Sequence, residues 1–141
     1  MKFLLISFFF ISASTHAKID NQKLNGSWIS NCIQSQIYSK LGHVKEIYTF
    51  EGSSFVFKRE WYKDSKCQKI STIDTVQGDY QIGDRAMDPK HPSNTFQVEF
   101  ITKGQSKQGL LWVNTDHTNL RISRDYGDNS ILGIFIYSKQ K

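Results

Sequence analysis

The chain has 141 residues, 38% of them hydrophobic and 22% charged, with a formal net charge of +5. That length suits one domain around a single core. No linker, internal repeat or low-complexity run divides it, and no segment is apolar over the roughly 20 residues that a membrane-spanning helix requires.

In chain order the first element reads as a leader. Met1-Lys2 is followed by the apolar run Phe3 to Ile11 and by Ser12-Ala13-Ser14-Thr15-His16-Ala17. A basic start, a short apolar run and a small-residue exit are the three parts of a secretory signal. Thr15 and Ala17 occupy the positions a signal peptidase reads. Cleavage is therefore expected after Ala17, with residues 1–17 removed and residues 18–141 forming one domain in the periplasm or the medium. Lys2 leaves with the signal, so 17 basic side chains face 13 acidic ones and the formal net charge becomes +4. These charges alternate along most of the chain, as on a solvated surface.

The remainder reads as strand after strand, with apolar and polar residues alternating between short Gly, Asn, Asp and Ser breaks. Leu24 to Ile33 and His43 to Phe50 come first. Ser53 to Tyr62 is the clearest: Phe55, Phe57 and Trp61 share a face with Arg59, and Lys58 and Glu60 point the other way. Gln68 to Val76 and Tyr80 to Ile82 follow, and then an irregular stretch, Gly83 to Asn94, that holds Pro89 and Pro92. Thr95 to Thr102 sets Phe96, Val98 and Phe100 against Gln97 and Glu99. Leu110 to Val113 and Ile131 to Tyr137 are apolar on both faces, and Asn119 to Ser123 lies between them. Glu51-Gly52-Ser53, Lys103-Gly104-Gln105 and Tyr126-Gly127-Asp128-Asn129 carry hairpin-turn chemistry. The predicted fold is all-β, an up-and-down antiparallel barrel of about eight strands.

Cys32 and Cys67 form an even pair in an oxidising compartment, which is most simply a disulfide. It ties the first strand to the segment after Tyr62. It closes a loop of about 36 residues, worth about 4 kcal/mol at most by chain entropy. Neither cysteine has a second metal ligand two to four residues away, so zinc is not expected.

Leu24-Asn25-Gly26-Ser27-Trp28 places Gly-x-Trp on the first strand, which resembles the opening motif of the lipocalin and calycin-like barrels. The resemblance implies that Trp28 plugs the closed end of a barrel, with Gly26 beside it and a late arginine, Arg121 or Arg124, packed over the indole. It covers the domain in outline and departs in three ways. The chain is short, it shows no C-terminal helix, and Thr115-Asp116-His117 only partly echoes the family's second motif. Gly-x-Trp followed closely by the first of two bonded cysteines is also similar to the small periplasmic inhibitors of secreted metalloproteases. In that family an N-terminal arm, here Lys18 to Lys23, enters the protease cleft.

The residues that carry chemistry form no catalytic set. His43, His91 and His117 are far apart, without a ligand-type partner at close spacing. No serine sits with a positioned base. Of Glu46, Glu60 and Glu99, which could form a carboxylate pair inside a barrel, alternation puts Glu60 and Glu99 opposite the aromatics and hence outside. No enzymatic activity, cofactor or metal is expected. The basic and aromatic stretch Lys58 to Lys69 reads as a charged hairpin tip. An anionic component of the cell envelope, rather than nucleic acid, is the partner it would suit. Phe55, Phe57, Arg59, Trp61, Phe96, Phe100 and Trp112 share the expected inward faces and form the candidate lining of an apolar cavity. Arg59 among them would need a carboxylate or phosphate partner. The expected function is non-catalytic binding of a small apolar or amphipathic, lipid-like ligand by a monomer. The alternative is an inhibitor or interaction protein that acts through its surface and arm. A cavity above roughly 300 Å3 favours the first, and a filled barrel the second.

Overall fold

The computed structural model describes residues 19–34, 42–86, 93–123 and 136–141. The expected leader, Lys18, Arg124, both prolines and His91 lie outside these, as do the predicted Tyr126–Asn129 turn and most of the Ile131–Tyr137 strand. The described elements are a short helix α1 (Asn21–Leu24) and strands β1 (Gly26–Ser30), β2 (Ile33–Gln34), β3 (His43–Glu51), β4 (Ser54–Tyr62), β5 (Ile70–Arg85), β6 (Thr95–Thr102), β7 (Gln105–Val113), β8 (Asn119–Ser123) and β9 (Tyr137–Lys139). Sequential strands from β3 to β9 pair antiparallel, and β1 pairs with both β9 and β3, which closes the sheet on itself. β2 extends the line of β1 along β3, so the barrel has eight strand positions. The predicted architecture is thus the observed one. A closed sheet leaves no edge where it closes, which is how these strands hide one apolar face without a second layer among the described residues.

Alternation decides what points inward. On β3 the buried row is Val44, Glu46, Tyr48 and Phe50, and on β4 it includes Phe55, Phe57 and Trp61. Phe96, Val98 and Phe100 of β6, Leu111 and Val113 of β7, and Leu120 and Ile122 of β8 complete the wall. Two-residue loops at Gly52–Ser53 and Lys103–Gly104 join β3 to β4 and β6 to β7. Both central residues of the second loop have positive φ, 49° and 74°, the twist that suits a tight hairpin.

The end of the barrel beside α1 is closed. Trp28 is fully buried there, and its indole N–H donates to the Leu24 carbonyl at 2.7 Å. Gly26 has φ +112°, a conformation that side-chain-bearing residues rarely adopt, so the glycine of Gly-x-Trp turns the chain from helix into strand. A cation does lie over the indole, Lys139, 5.3 Å from the ring centroid; Arg121 is not there, and Arg124 lies outside the described residues. The register explains why. Lys139 is the cross-strand partner of Trp28, whereas Arg121 is the partner of Trp112 and lies 5.7 Å from that ring instead. Lys139 also donates to the Lys23 carbonyl, which pins α1 to the last strand.

Three elements differ from their sequence reading. β5 is one strand of sixteen residues rather than two, and it runs through Gly83, Asp84 and Arg85. β7 begins at Gln105, before its apolar part. Asn21–Leu24 is helical, opened by Asp20, whose side chain accepts from the Gln22 N–H.

Candidate functional site

The length of β5 shapes the other end. β6 and β7 turn back at Lys103–Gly104, and the last β5–β6 pair is Asp79 with Ile101. β5 runs on past that point, paired with β4 along Ile70 to Asp79. Among the described residues the other edge of this stretch has no strand beside it. A β4–β5 arm therefore stands beyond the β6–β7 turn, and the barrel wall has a gap between them. Gly78 marks the bend. A Cβ there would lie 2.0 Å from the Ile101 carbonyl oxygen, so only glycine lets the turn come this close to β5.

The Cys32–Cys67 disulfide ties the tip of the arm to the bend between β1 and β2, as expected. Within the tip, the Asp64 carboxylate accepts from the backbone N–H groups of Lys66, Gln68 and Lys69. Those hydrogen bonds, Lys69 first, hold Asp64 below the usual carboxylate range. The basic and aromatic stretch is thus a stapled hairpin tip.

Inside the gap lies a cleft of about 220 Å3 lined by Tyr48, Phe55, Phe57, Val76, Phe100, Thr102, Gln105 and Lys107. Its floor is a ring cluster. Phe55 meets Phe100 edge to face at 4.9 Å, and Tyr48 lies 4.8 Å from Phe57 and 6.2 Å from Phe100. Val76, 44% exposed on the inward row of β5, stands at the opening. A wider, shallow depression of about 870 Å3 leads along the outside of the same gap past Thr75 to Asp79, Thr102 and Lys103.

Of the seven expected lining residues, Phe55, Phe57 and Phe100 meet in this cleft. Arg59 and Trp61 stand on the same row of β4, beyond Phe57 toward the arm's tip. Phe96 packs into the closed half of the core with Leu111 as its cross-strand partner. Trp112 is on the outer face, because Leu111 and Val113 take the inward positions of β7. Its removal from the lining corrects the sequence reading. A strand segment apolar on both faces carries no alternation to fix its register, and this one is partly covered outside by Arg121.

Arg59 also finds a partner within the chain. It is the cross-strand neighbour of Glu46, and its Nε donates to Glu46 Oε1 at 2.8 Å. The hydroxyl of Tyr137 donates to the other Glu46 oxygen, and Ser30 Oγ accepts from the Glu46 N–H. Glu46 is 2% exposed, so this network supplies the compensation a buried carboxylate needs. The guanidinium lies 5.5 Å from the Phe57 ring and 5.7 Å from Trp61. On its other side, Asp74 of β5 accepts from the Trp61 indole N–H at 2.8 Å. Sequence reasoning missed Glu46 as this partner. Its place between Val44 and Tyr48 on the inward row of the neighbouring strand was the available signal. Tyr48, Val76 and Lys107 were missed as lining because a weak alternation or a polar stretch surrounds each.

No protein-family model matches the chain, and neither does any curated protein or any solved structure.

Proposed function

We propose that this is an exported, lipocalin-like barrel that binds a small apolar or amphipathic molecule in the cleft between β5 and the β6–β7 turn. The observation that carries the reading is a cleft floored by the buried rings of Tyr48, Phe55, Phe57 and Phe100, with half-exposed Val76 at its mouth, beneath a gap in the wall. A packed core leaves few voids larger than a water molecule, and this one opens outward. Its size sets the ligand's. A cavity of about 150 Å3 holds a benzene ring, and drug-sized pockets begin near 300 Å3. At about 220 Å3 the cleft falls short of the roughly 300 Å3 set above for a full ligand cavity; it accepts a substituted ring or a short alkyl chain, and a long acyl chain would have to extend into the shallow depression outside. The closed half of the barrel is filled by Trp28, Tyr80, Phe50 and Leu111, which confines binding to this side. Titration calorimetry with ring and short-chain amphiphiles tests the reading. Saturable binding that Phe57→Ala and Phe100→Ala each weaken about tenfold is expected. A panel without a single saturating member overturns it.

A second reading, an interaction protein, is favoured by a different feature of the same arm. Ile70 and Ile73 are 51% and 49% exposed on β5, beside an edge whose backbone has no described strand partner. Such an edge accepts an extended segment from another chain by strand addition. The arm-based form of inhibition has less support, since Ile19 and Leu24 are buried in the core beside Trp28. Hydrogen exchange tests the strand-addition form. The outer-edge amides of β5 should exchange rapidly in the isolated protein, and slow exchange there removes the reading.

A further inference from the structure

We infer that the cleft selects an anionic head group, so that its ligands are small amphipathic carboxylates or their phosphate and sulfate equivalents, held by Lys107. The inference rests on the binding reading above and names the ligand class for that site. Lys107 is the direct cross-strand partner of Phe100, so it lies on the inward row of β7 and lines the cleft beside the ring floor. Among the described residues it has no ion-pair partner; the ion pair there is Arg59 with Glu46.

The neighbouring acids are already engaged. Glu46 accepts from Arg59 and Tyr137, Asp74 from Trp61, and Asp79 from Ser54. Glu99 lies on the opposite face of β6, where Ser106 donates to it. Thr102 and Gln105 complete the rim beside Lys107 and offer hydrogen-bond donors to the same head group. An apolar floor, a cation without a partner and two neutral donors form a pattern complementary to an amphipathic anion. A neutral or cationic head group would leave the ammonium without a counter-charge. The sequence made Arg59 the natural handle for an anion. In the folded protein Glu46 neutralises that guanidinium, and the free charge at the cleft is one strand system away, on β7.

Octanoate, octanol and octylamine share a chain and differ in head group, so their binding separates this inference from the reading beneath it. At low salt, octanoate should bind about two- to fivefold more tightly than octanol, the size of one favourable surface ion pair. Octylamine should bind most weakly. Lys107→Ala and Lys107→Gln should each remove the octanoate preference over octanol, and 0.5 M salt should reduce it in the wild type. Equal affinity for octanoate and octanol overturns the inference and keeps the cleft as a ligand site. So does a preference that survives both Lys107 variants. Failure of all three ligands to bind overturns the cleft reading and this inference with it. Lys107 is exposed, so its variants should fold, and unchanged thermal midpoints verify that.

Discussion

The two halves of the barrel solve different problems with the same alternating pattern. Around Trp28 every inward position meets another. The indole is bonded to Leu24, Lys139 lies over it, and Tyr48, Phe50, Tyr80 and Tyr137 interlock as stacked and edge-to-face rings. Toward the arm the inward rows continue, but the facing wall stops at the β6–β7 turn. Val76 stays exposed and Phe57 faces a cleft. Packing holds the first half together. The second is held by a disulfide at the arm's tip and by the polar network around Glu46. The difference shows that strand length can open a cleft in the wall without interrupting the pattern that folds the barrel.

The sharpest way to break the closed half is Trp28→Ala. Truncating a fully buried aromatic costs about 3–5 kcal/mol, a large share of the stability of a domain this size. Urea unfolding should show a loss of that order or no folded protein at all, and a loss under 1 kcal/mol would contradict the packing described here. The matching test on the other half is Cys32→Ser with Cys67→Ser. Its cost is up to about 4 kcal/mol by loop entropy, and its local signature should differ. Hydrogen exchange should rise first in the arm, along β5 from Ile70 to Gly78, while β8 and β9 keep their protection. Uniform loss across all strands would mean that the staple stabilises the barrel as a whole.

The same contrast governs how much was legible in the sequence. The barrel followed from alternation, because local periodicity carries that information; the disulfide followed from the cysteine count, and a buried Trp28 was what the resemblance carried by Gly-x-Trp implied. Arg59 was rightly placed among inward aromatics, but its partner sits thirteen residues earlier on β3, and only the β3–β4 register brings them together. The cation over Trp28 was expected to be an arginine late in the chain. Among the described residues the closure of β9 onto β1 puts Lys139 there, while Arg121 pairs with Trp112. The cleft was hidden for a related reason. It exists because β5 outruns β6, and relative strand length is a property of pairing rather than of either segment. Lys107 sits in Gln105-Ser106-Lys107-Gln108, where no apolar residue marks which side faces in.

Alkaline pH offers a gentler probe of the arm. Burial, followed by the Glu60 carboxylate that its hydroxyl donates to, pushes the Tyr62 phenol up to about 12. Burial alone raises Tyr80, in the closed half. A phenol with a raised folded-state pKa contributes stability that is fully present below about pH 10 and is lost as pH rises toward 12. Thermal midpoints should therefore fall between pH 10 and 12. Tyr62→Phe should flatten part of that decline and leave the part owed to Tyr80. If Tyr62→Phe leaves the alkaline slope untouched, the phenol beside the arm's tip is not the group that titrates.

The smallest effect decides where the boundary of the site runs. Trp112 and Arg121 form a half-buried cross-strand pair on the outer face, a cation–π contact worth about 1 kcal/mol at such a position. Trp112→Ala should lower stability by about 1 kcal/mol and leave amphiphile affinity within about twofold. Phe57→Ala inverts that ratio of effects, since Phe57 belongs to both core and cleft and its loss should weaken binding about tenfold. Comparing the two aromatics by calorimetry and urea unfolding tests the register of β7 directly. A slip of one residue would bring Trp112 inside and turn Leu111 and Val113 out. Binding that depended on Trp112 would mean that β7 adopts the other register and that the cleft is lined differently from the one seen here.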